Sequence, residues 1–449
     1  INGSKFGTSA IKGIIKKLQE ARVDIIEVGW LKDSAHEEGS SYFHLPQDAA
    51  PYMVDRQDDI EYVAMIDWDR YDVDQLPPCD GTSINAVRVV FPHGKHHEGI
   101  AVAERVREKG YRIFLQAANT LAYSASDLKD LAQCINACRP VAISVVDTFG
   151  AMFAEDLERI VKTLDANLDP DIAMGFHSHN NQQLSFALTM HFVELLKKTG
   201  RSAIVDASLC GMGRGAGNAT TELVASYLDR KQDGNYDMDA ILDAIDTYME
   251  PFQQAYTWGY STPYFIAGMY QCHVNNIAYL QRNHRTNARD MRNIIASLSQ
   301  AERRKYDYDL LEDRYLENQS RLVDDEAAVQ TLRKTFDGRT VLLVAPGRSI
   351  IDKQREVKAF IEAERPVVIG VNAICADYDY DYLFFVNSAR YDYAQSAHEQ
   401  IFNRTKKIVL SSIKAADTEK VLTLNFNRAI KRGWPHFDNA VIAALRLLN

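Results

Sequence analysis

VAISVVDTFGAMFAEDLERIVKTLDANLDPDIAMGFHSHNN, residues 141–181, carries the pattern that decides the fold. A short β-branched run (141–147) leads through a stretch of helical period (153–166) to a second apolar run (172–177). Strand, helix, strand in that order implies two parallel strands joined by a right-handed crossover. The runs are apolar at successive positions, as strands buried on both faces should be. Glu155 falls near the start of the helical stretch, where an acid suits the helix dipole.

Outward from this unit the same alternation covers residues 1–230. Runs at 24–29 (DIIEVG), 61–67 (EYVAMID), 85–91 (NAVRVVF), 111–116 (YRIFLQ) and 202–207 (SAIVDA) bring the strands to seven. Helical stretches at 9–21, 96–109, 125–138, 182–199 and 219–230 lie between or beside them. Seven parallel strands suit an open doubly wound sheet or a closed eight-stranded barrel short of one strand. The sequence opens on a loop and a helix, so the expected architecture is an α/β TIM (β/α)8 barrel whose first strand would lie before Ile1. The expected domains are a barrel over 1–236, a helical extension over 237–330 and a smaller Rossmann-like α/β domain over 338–449. The last is marked by TVLLVAPG (340–347), RPVVIGVNA (365–373), DYLFFVNS (381–388), KKIVLSS (406–412) and KVLTLN (420–425).

Composition narrows the function classes. Of 449 residues, 46 % are hydrophobic and 25 % charged, an ordinary globular balance. Lys plus Arg number 51 against 61 Asp plus Glu, a net charge of −10, which speaks against a nucleic-acid or anionic-membrane partner. No apolar run approaches the roughly 18 residues of a membrane span. Six Cys without a CxxC spacing exclude a disulfide scaffold and a zinc ribbon, so a reduced, cytoplasmic protein is expected. Cys134 and Cys138, four apart on a helical stretch, read as packed thiols.

The chemistry-bearing residues collect at strand ends. His177 and His179 in GFHSHNN lie two apart on an extended segment, so both imidazoles can face one ion. Loop histidines hydrogen-bonded to neighbours are the plainer alternative. Asp147 and Thr148 in VVDTFGAM could hold a substrate carboxylate, and Asp147 could equally brace its loop. GMGRGAGNAT (211–220) allows close backbone approach and offers the Asn218 carbonyl to a metal, or merely caps a helix. Glu27 in IIEVGW could support a metal's ligands from behind, or simply satisfy buried polar groups inside the barrel, and Asp67, Gln116 and Asn119 at other strand ends could line the site. Tyr260 and Tyr264 in WGYSTPYF could each donate a proton to a substrate oxygen.

IEVGW, DTFGAM, GFHSHNN and GRGAGN, in this order and each closing a strand, resemble the HMG-CoA lyase-like (DRE-TIM) metallolyase superfamily. DTFGAM and WGYSTPYF look most like its 4-hydroxy-2-oxovalerate aldolases, which cleave 4-hydroxy-2-keto acids to pyruvate and an aldehyde. The resemblance spans roughly 1–285. It implies His177 and His179 as metal ligands, with Asn218 as a third. Thr148 would contact the keto acid, and Tyr264, or Tyr260 in another register, would be the acid. The implied cofactor is Mn²⁺ or Mg²⁺ and the implied substrate a small 2-keto acid. A homodimer is the expected assembly. The family's Arg-Asp pair at the end of strand one has no counterpart before IEVGW, which fits a missing first strand and equally a genuine loss of activity. A condensing synthase of the same superfamily, or a barrel kept as a scaffold, are the alternatives. In the C-terminal part, VAPGRSI, VVIGVNA and YLFFVNS resemble the nucleotide-sugar-binding half of bacterial sialyltransferase-like proteins. That resemblance implies a nucleotide sugar held by Gly347, Ser349 and Asn372, and a role in surface-polysaccharide biosynthesis.

Overall fold

The computed structural model describes residues 5–284, 286–415, 418–430 and 439–448. The chain divides into two compact units, Ile1–Val274 and Asn275–Asn449.

The first unit is built on one parallel sheet of eight strands. These are β1 (Ile25–Leu31), β2 (Tyr42–Phe43), β3 (Glu61–Asp67), β4 (Ala86–Pro92), β5 (Arg112–Ala118), β6 (Ala142–Asp147), β7 (Ala173–Ser178) and β8 (Ala203–Val205). They lie in the order β2-β1-β3-β4-β5-β6-β7-β8. Seven match the apolar runs of the sequence to within about two residues. The other, β2, is only two residues long and pairs with Trp30 and Leu31 at the C-terminal end of β1. Helices Thr8–Glu20, His96–Glu108, Ala125–Cys138, Ala154–Asp165, Ser185–Thr199 and Thr221–Lys231 match the six helical stretches.

Side-chain alternation along the strands separates two cores. Val87, Val89, Ile143, Val145, Met174 and Phe176 point outward into the large core beneath the helices. The helix over β6 and β7 shows why it docks there: Leu157, Ile160, Val161 and Leu164 form one buried stripe. Residues of the other parity, Val63, Ala86, Phe114, Ala142 and Ala173, form a separate, small inner cluster. Two residues further along their strands the same face becomes polar, with Arg88, Gln116 and Ser144. The inner face therefore has an apolar floor and a charged middle, and the C-terminal strand ends stand above both.

The second unit carries helices, then a five-stranded parallel sheet: β9 (Val341–Val344), β10 (Val367–Val371), β11 (Tyr382–Phe385), β12 (Lys406–Leu410) and β13 (Val421–Leu424). The order β13-β12-β11-β10-β9 follows the chain without reversal. One face packs against helices Glu326–Phe336 and Ala440–Leu448. The other is covered by Gln354–Glu364, Ser388–Ala397 and Glu399–Arg404. No helix among the described residues is long and apolar enough to cross a membrane.

Candidate active site

β7 ends on the two histidines. Register pairs Val146 with His177 and Asp147 with Ser178, which sets the ends of β6 and β7 side by side. His177 projects inward, and its Nδ1 donates to Oδ2 of Asp206, 3.0 Å away, just past β8. Arg88, in the middle of β4, donates to the same carboxylate and, over 2.9 Å, to Oε1 of Gln116. Its Nε lies 3.1 Å from Oε2 of Glu27 on β1. Five strands thus meet in one buried charge network. Burial would raise the Asp206 carboxyl, but Arg88 and His177 overcome it and hold it near 2. Glu27 is raised, chiefly by burial and also by Asp206, against the pull of Arg88. Many protein atoms surround it, yet it opens to solvent, with 29 % of its side-chain surface accessible.

The His179 ring lies 5.2 Å from that of His177, centroid to centroid, at 79°. Burial, then the neighbouring His177 and Arg214, push its pKa down to about 3, so the imidazole is neutral. The glycine loop closes over this pair. Asn180 N–H donates to Gly217 O (2.8 Å) and Ala219 N–H to Ser178 O (3.2 Å), pinning the loop to the end of β7. Gly217 has φ +88°, and a Cβ there would sit 2.0 Å from Gly211 O, so the fold of the loop needs glycine. Asn218 Nδ2 donates to Met212 O (3.1 Å). Its Oδ1 is buried and has no hydrogen-bond partner in the structure.

These donors fit a divalent ion. His179 is held in the neutral form a ligand requires. His177 spends Nδ1 on Asp206, which leaves Nε2 available and orients the ring, the usual carboxylate–histidine support of a metal ligand. The orphaned Asn218 oxygen is a buried acceptor that a cation would satisfy.

The loop after β6 is braced from within. Asp147 accepts the N–H groups of Ala151 (2.8 Å) and Met152 (3.1 Å). Burial raises its pKa to about 6 in spite of those bonds. Both its oxygens are thereby engaged, the loop-bracing alternative. Thr148 Oγ1 accepts Asn119 N–H at 2.7 Å, and Asn119 has φ +54° and a buried Oδ1 without a partner. Gly150, at φ +56°, lets the turn press on Asn181, where a Cβ would meet the backbone nitrogen at 2.6 Å. Asn181 in turn donates to Phe149 O and accepts from Ala216 N–H, tying this turn to the glycine loop.

Tyr260 is exposed at 62 %, whereas Tyr264 is half-buried on helix Thr262–Met269. Gly268, on the same helix face one turn later, packs against Gly150 O and Asn181. Tyr264 therefore shares the face turned to the strand ends. In the second unit, Gly347 and Ser349 follow β9 and Asn372 follows β10. Asn372 Oδ1 is taken by Val386 N–H (3.1 Å), and the sheet order lacks the reversal at which ligand crevices open. Both features run against the nucleotide-sugar expectation.

A model of the HMGL-like family matches residues 2–248, more than half of the chain. The chain belongs to the HMGL-like family. This HMGL-like chain is 33 % identical over 141 residues to a 4-hydroxy-2-oxovalerate aldolase of Thermomicrobium roseum, covering 29 % of this chain and 38 % of that one. It is 30 % identical over 147 residues to an oxaloacetate decarboxylase of Mycobacterium tuberculosis, covering 32 % and 42 %. The chain thus spans well under half the length of these curated relatives. Among solved structures, the N-terminal domain of a provisionally described aldolase from Bacteroides vulgatus superposes with TM-score 0.52 at 20 % identity, covering 62 % of this chain and 91 % of that one. The carboxyl transferase domain of Rhizobium etli pyruvate carboxylase gives 0.51 at 14 %, covering 65 % and 53 %. These two show the fold of the HMGL-like unit. The family match ends before the second unit.

Three site residues escaped the sequence reading: Arg88, Asp206 and Arg214. Arg88 was visible as a lone cation inside an apolar run, and Asp206 as an acid ending one. Arg214, in the glycine loop, acts electrostatically on Asp67, His179 and His273.

Proposed function

We propose that the first unit is a divalent-metal-dependent carbon–carbon lyase of the pyruvate-aldolase type, cleaving a 4-hydroxy-2-keto acid to pyruvate and an aldehyde. One observation carries the reading: of two neighbouring imidazoles one is anchored by Asp206, and the other belongs to a residue bridged to Asn218, whose buried side-chain carbonyl has no partner among the described residues. The relatives named as 4-hydroxy-2-oxovalerate aldolases supply the substrate class.

His177, His179 and Asn218 would hold the ion. Two nitrogens and a neutral oxygen leave positions for the two oxygens of a bidentate 2-keto acid and for water, and with those oxygens added the set suits Mn²⁺ or Mg²⁺. Bound there, the ion supplies positive charge to the keto oxygen as the carbon–carbon bond breaks. Thr148, whose oxygen already accepts from Asn119, keeps its own hydrogen for the substrate carboxylate. Tyr264 carries the proton delivered to product, and Tyr260, on the exposed side, does not. Arg88, itself paired with Glu27 on the inner face, holds Asp206 ionised together with His177, which keeps His177 in the tautomer with Nδ1 protonated.

The test is pyruvate release from 4-hydroxy-2-oxovalerate by the full-length protein, with and without Mn²⁺. Metal-dependent pyruvate formation supports the assignment. Carbon dioxide from oxaloacetate alone would replace it with a decarboxylase, the activity named for the Mycobacterium relative. Thiol release from acetyl-CoA would replace it with a synthase.

A further inference from the structure

Away from the strand-end histidines, four metal-ligand side chains converge on the outer wall of the first unit. His96 and His97 open helix His96–Glu108, after β4, and Asp130 and Cys134 sit one turn apart on helix Ala125–Cys138, after β5. Successive residues of a helix point roughly 100° apart. Here both imidazoles nevertheless turn to the neighbouring helix, with ring centroids 4.4 Å apart. His96 Nε2 and His97 Nε2 approach the same oxygen, Oδ2 of Asp130, at 2.7 and 3.1 Å. Cys134 Sγ lies 3.4 Å from the other nitrogen of His97. One ligand atom from each of the four residues can be chosen so that all lie within 4.8 Å of one another.

We propose that His96, His97, Asp130 and Cys134 form a zinc site that clips these two helices together. The donors of a tetrahedral zinc site stand about 3.3–3.8 Å apart, given bonds of about 2.0–2.3 Å. The observed cluster straddles that spacing, so side-chain rotation alone closes it. Two imidazoles, a carboxylate and a thiolate are a zinc set; the sulfur disfavours Mg²⁺ and Mn²⁺. Charge also balances. Asp130 and the Cys134 thiolate together neutralise one divalent ion, and the thiol proton leaves to solvent as the metal–sulfur bond forms. The site is reachable, since His97 keeps 63 % and Asp130 48 % of its side-chain surface exposed. Cys134 is then a ligand, not the packed thiol its helical spacing suggests. The site shares no residue with the proposed lyase centre.

Cobalt titration of the full chain tests this, because Co²⁺ reports tetrahedral thiolate ligation by its visible bands and a sulfur-to-metal charge-transfer band. Expected are both signals at one equivalent, loss of the charge-transfer band in C134S, and at least about tenfold weaker cobalt binding in H97A. The band should persist in H177A. In H177A, which lacks the strand-end site, zinc should still raise the melting temperature, and that rise should vanish in the H177A/C134S double variant. Circular dichroism of each variant without metal confirms the fold. Absence of a thiolate–cobalt band in the folded parent protein, or its survival in C134S, overturns the proposal.

Discussion

Asp206 Oδ2 stands 3.0 Å from Nδ1 of His177 and is shared with the guanidinium of Arg88. An imidazole held in this way presents its other nitrogen to whatever occupies the strand ends, in a fixed tautomer and orientation. The geometry of this imidazole is therefore set by Arg88 of β4 and the residue after β8 as much as by its own strand.

H177A should lose bound Mn²⁺ and lyase activity together, each by more than about 100-fold. Metal content by elemental analysis and a coupled pyruvate assay measure this, and far-ultraviolet circular dichroism should stay unchanged. Full activity in the variant would remove His177 from the mechanism.

Asp206 titrates near 2 in the fold against an ordinary 3.8. A depressed carboxylate stabilises the native state above pH about 4 and loses that contribution as pH falls through 2, a change of about 2 kcal/mol. D206N should cost about 3–5 kcal/mol at neutral pH, because Arg88 loses a buried partner. Urea unfolding at stepped pH should show the gap between parent and variant narrowing from pH 4 to 2. A constant gap contradicts the ionised Asp206–Arg88 pair.

N218A should weaken metal binding at least about tenfold while changing metal-free stability by less than about 1 kcal/mol. The lost Nδ2 hydrogen bond is offset by removal of an unsatisfied buried carbonyl. Competition with a metal indicator and thermal unfolding of the metal-free protein read the two quantities separately.

Y264F should lower kcat by about 100-fold with little change in KM, as expected for loss of a positioned proton donor. Y260F should stay within about twofold of the parent. Steady-state kinetics with the reverse pattern would move the acid role to Tyr260.

G150A should destabilise by more than about 2 kcal/mol. The position needs φ +56°, and a Cβ would meet Asn181 N at 2.6 Å and His179 O at 2.8 Å, both backbone atoms that cannot swing aside. Thermal unfolding measures the loss, and metal binding should weaken with it because His179 is displaced.

Much of the first unit was legible because strands buried on both faces read as apolar runs, and helices such as 154–165 carry an unbroken stripe. β2 was not, since two residues, Tyr42 and Phe43, have no period. In the second unit, SARYDYAQSA (388–397) mixes polar and aromatic residues on every side, and its helix carried no stripe to find. At the site, the histidines and Asn218 announced themselves by motif. The Arg88–Asp206 pair did not, because 118 residues separate partners that meet only across the folded sheet. Asp147 shows the converse: a strand-end acid reads as ligand-facing, yet its oxygens go to two amides of its own loop.

Gln116, Arg88 and His177 lie on three strands and Asp206 directly follows a fourth, so none sits out in the longer loops that would shape a substrate pocket. The basicity of the His177 imidazole is thus set apart from whatever the loops bind. Under the proposed function, a change of rim residue would alter the aldehyde accepted while the imidazole keeps the same electronic character.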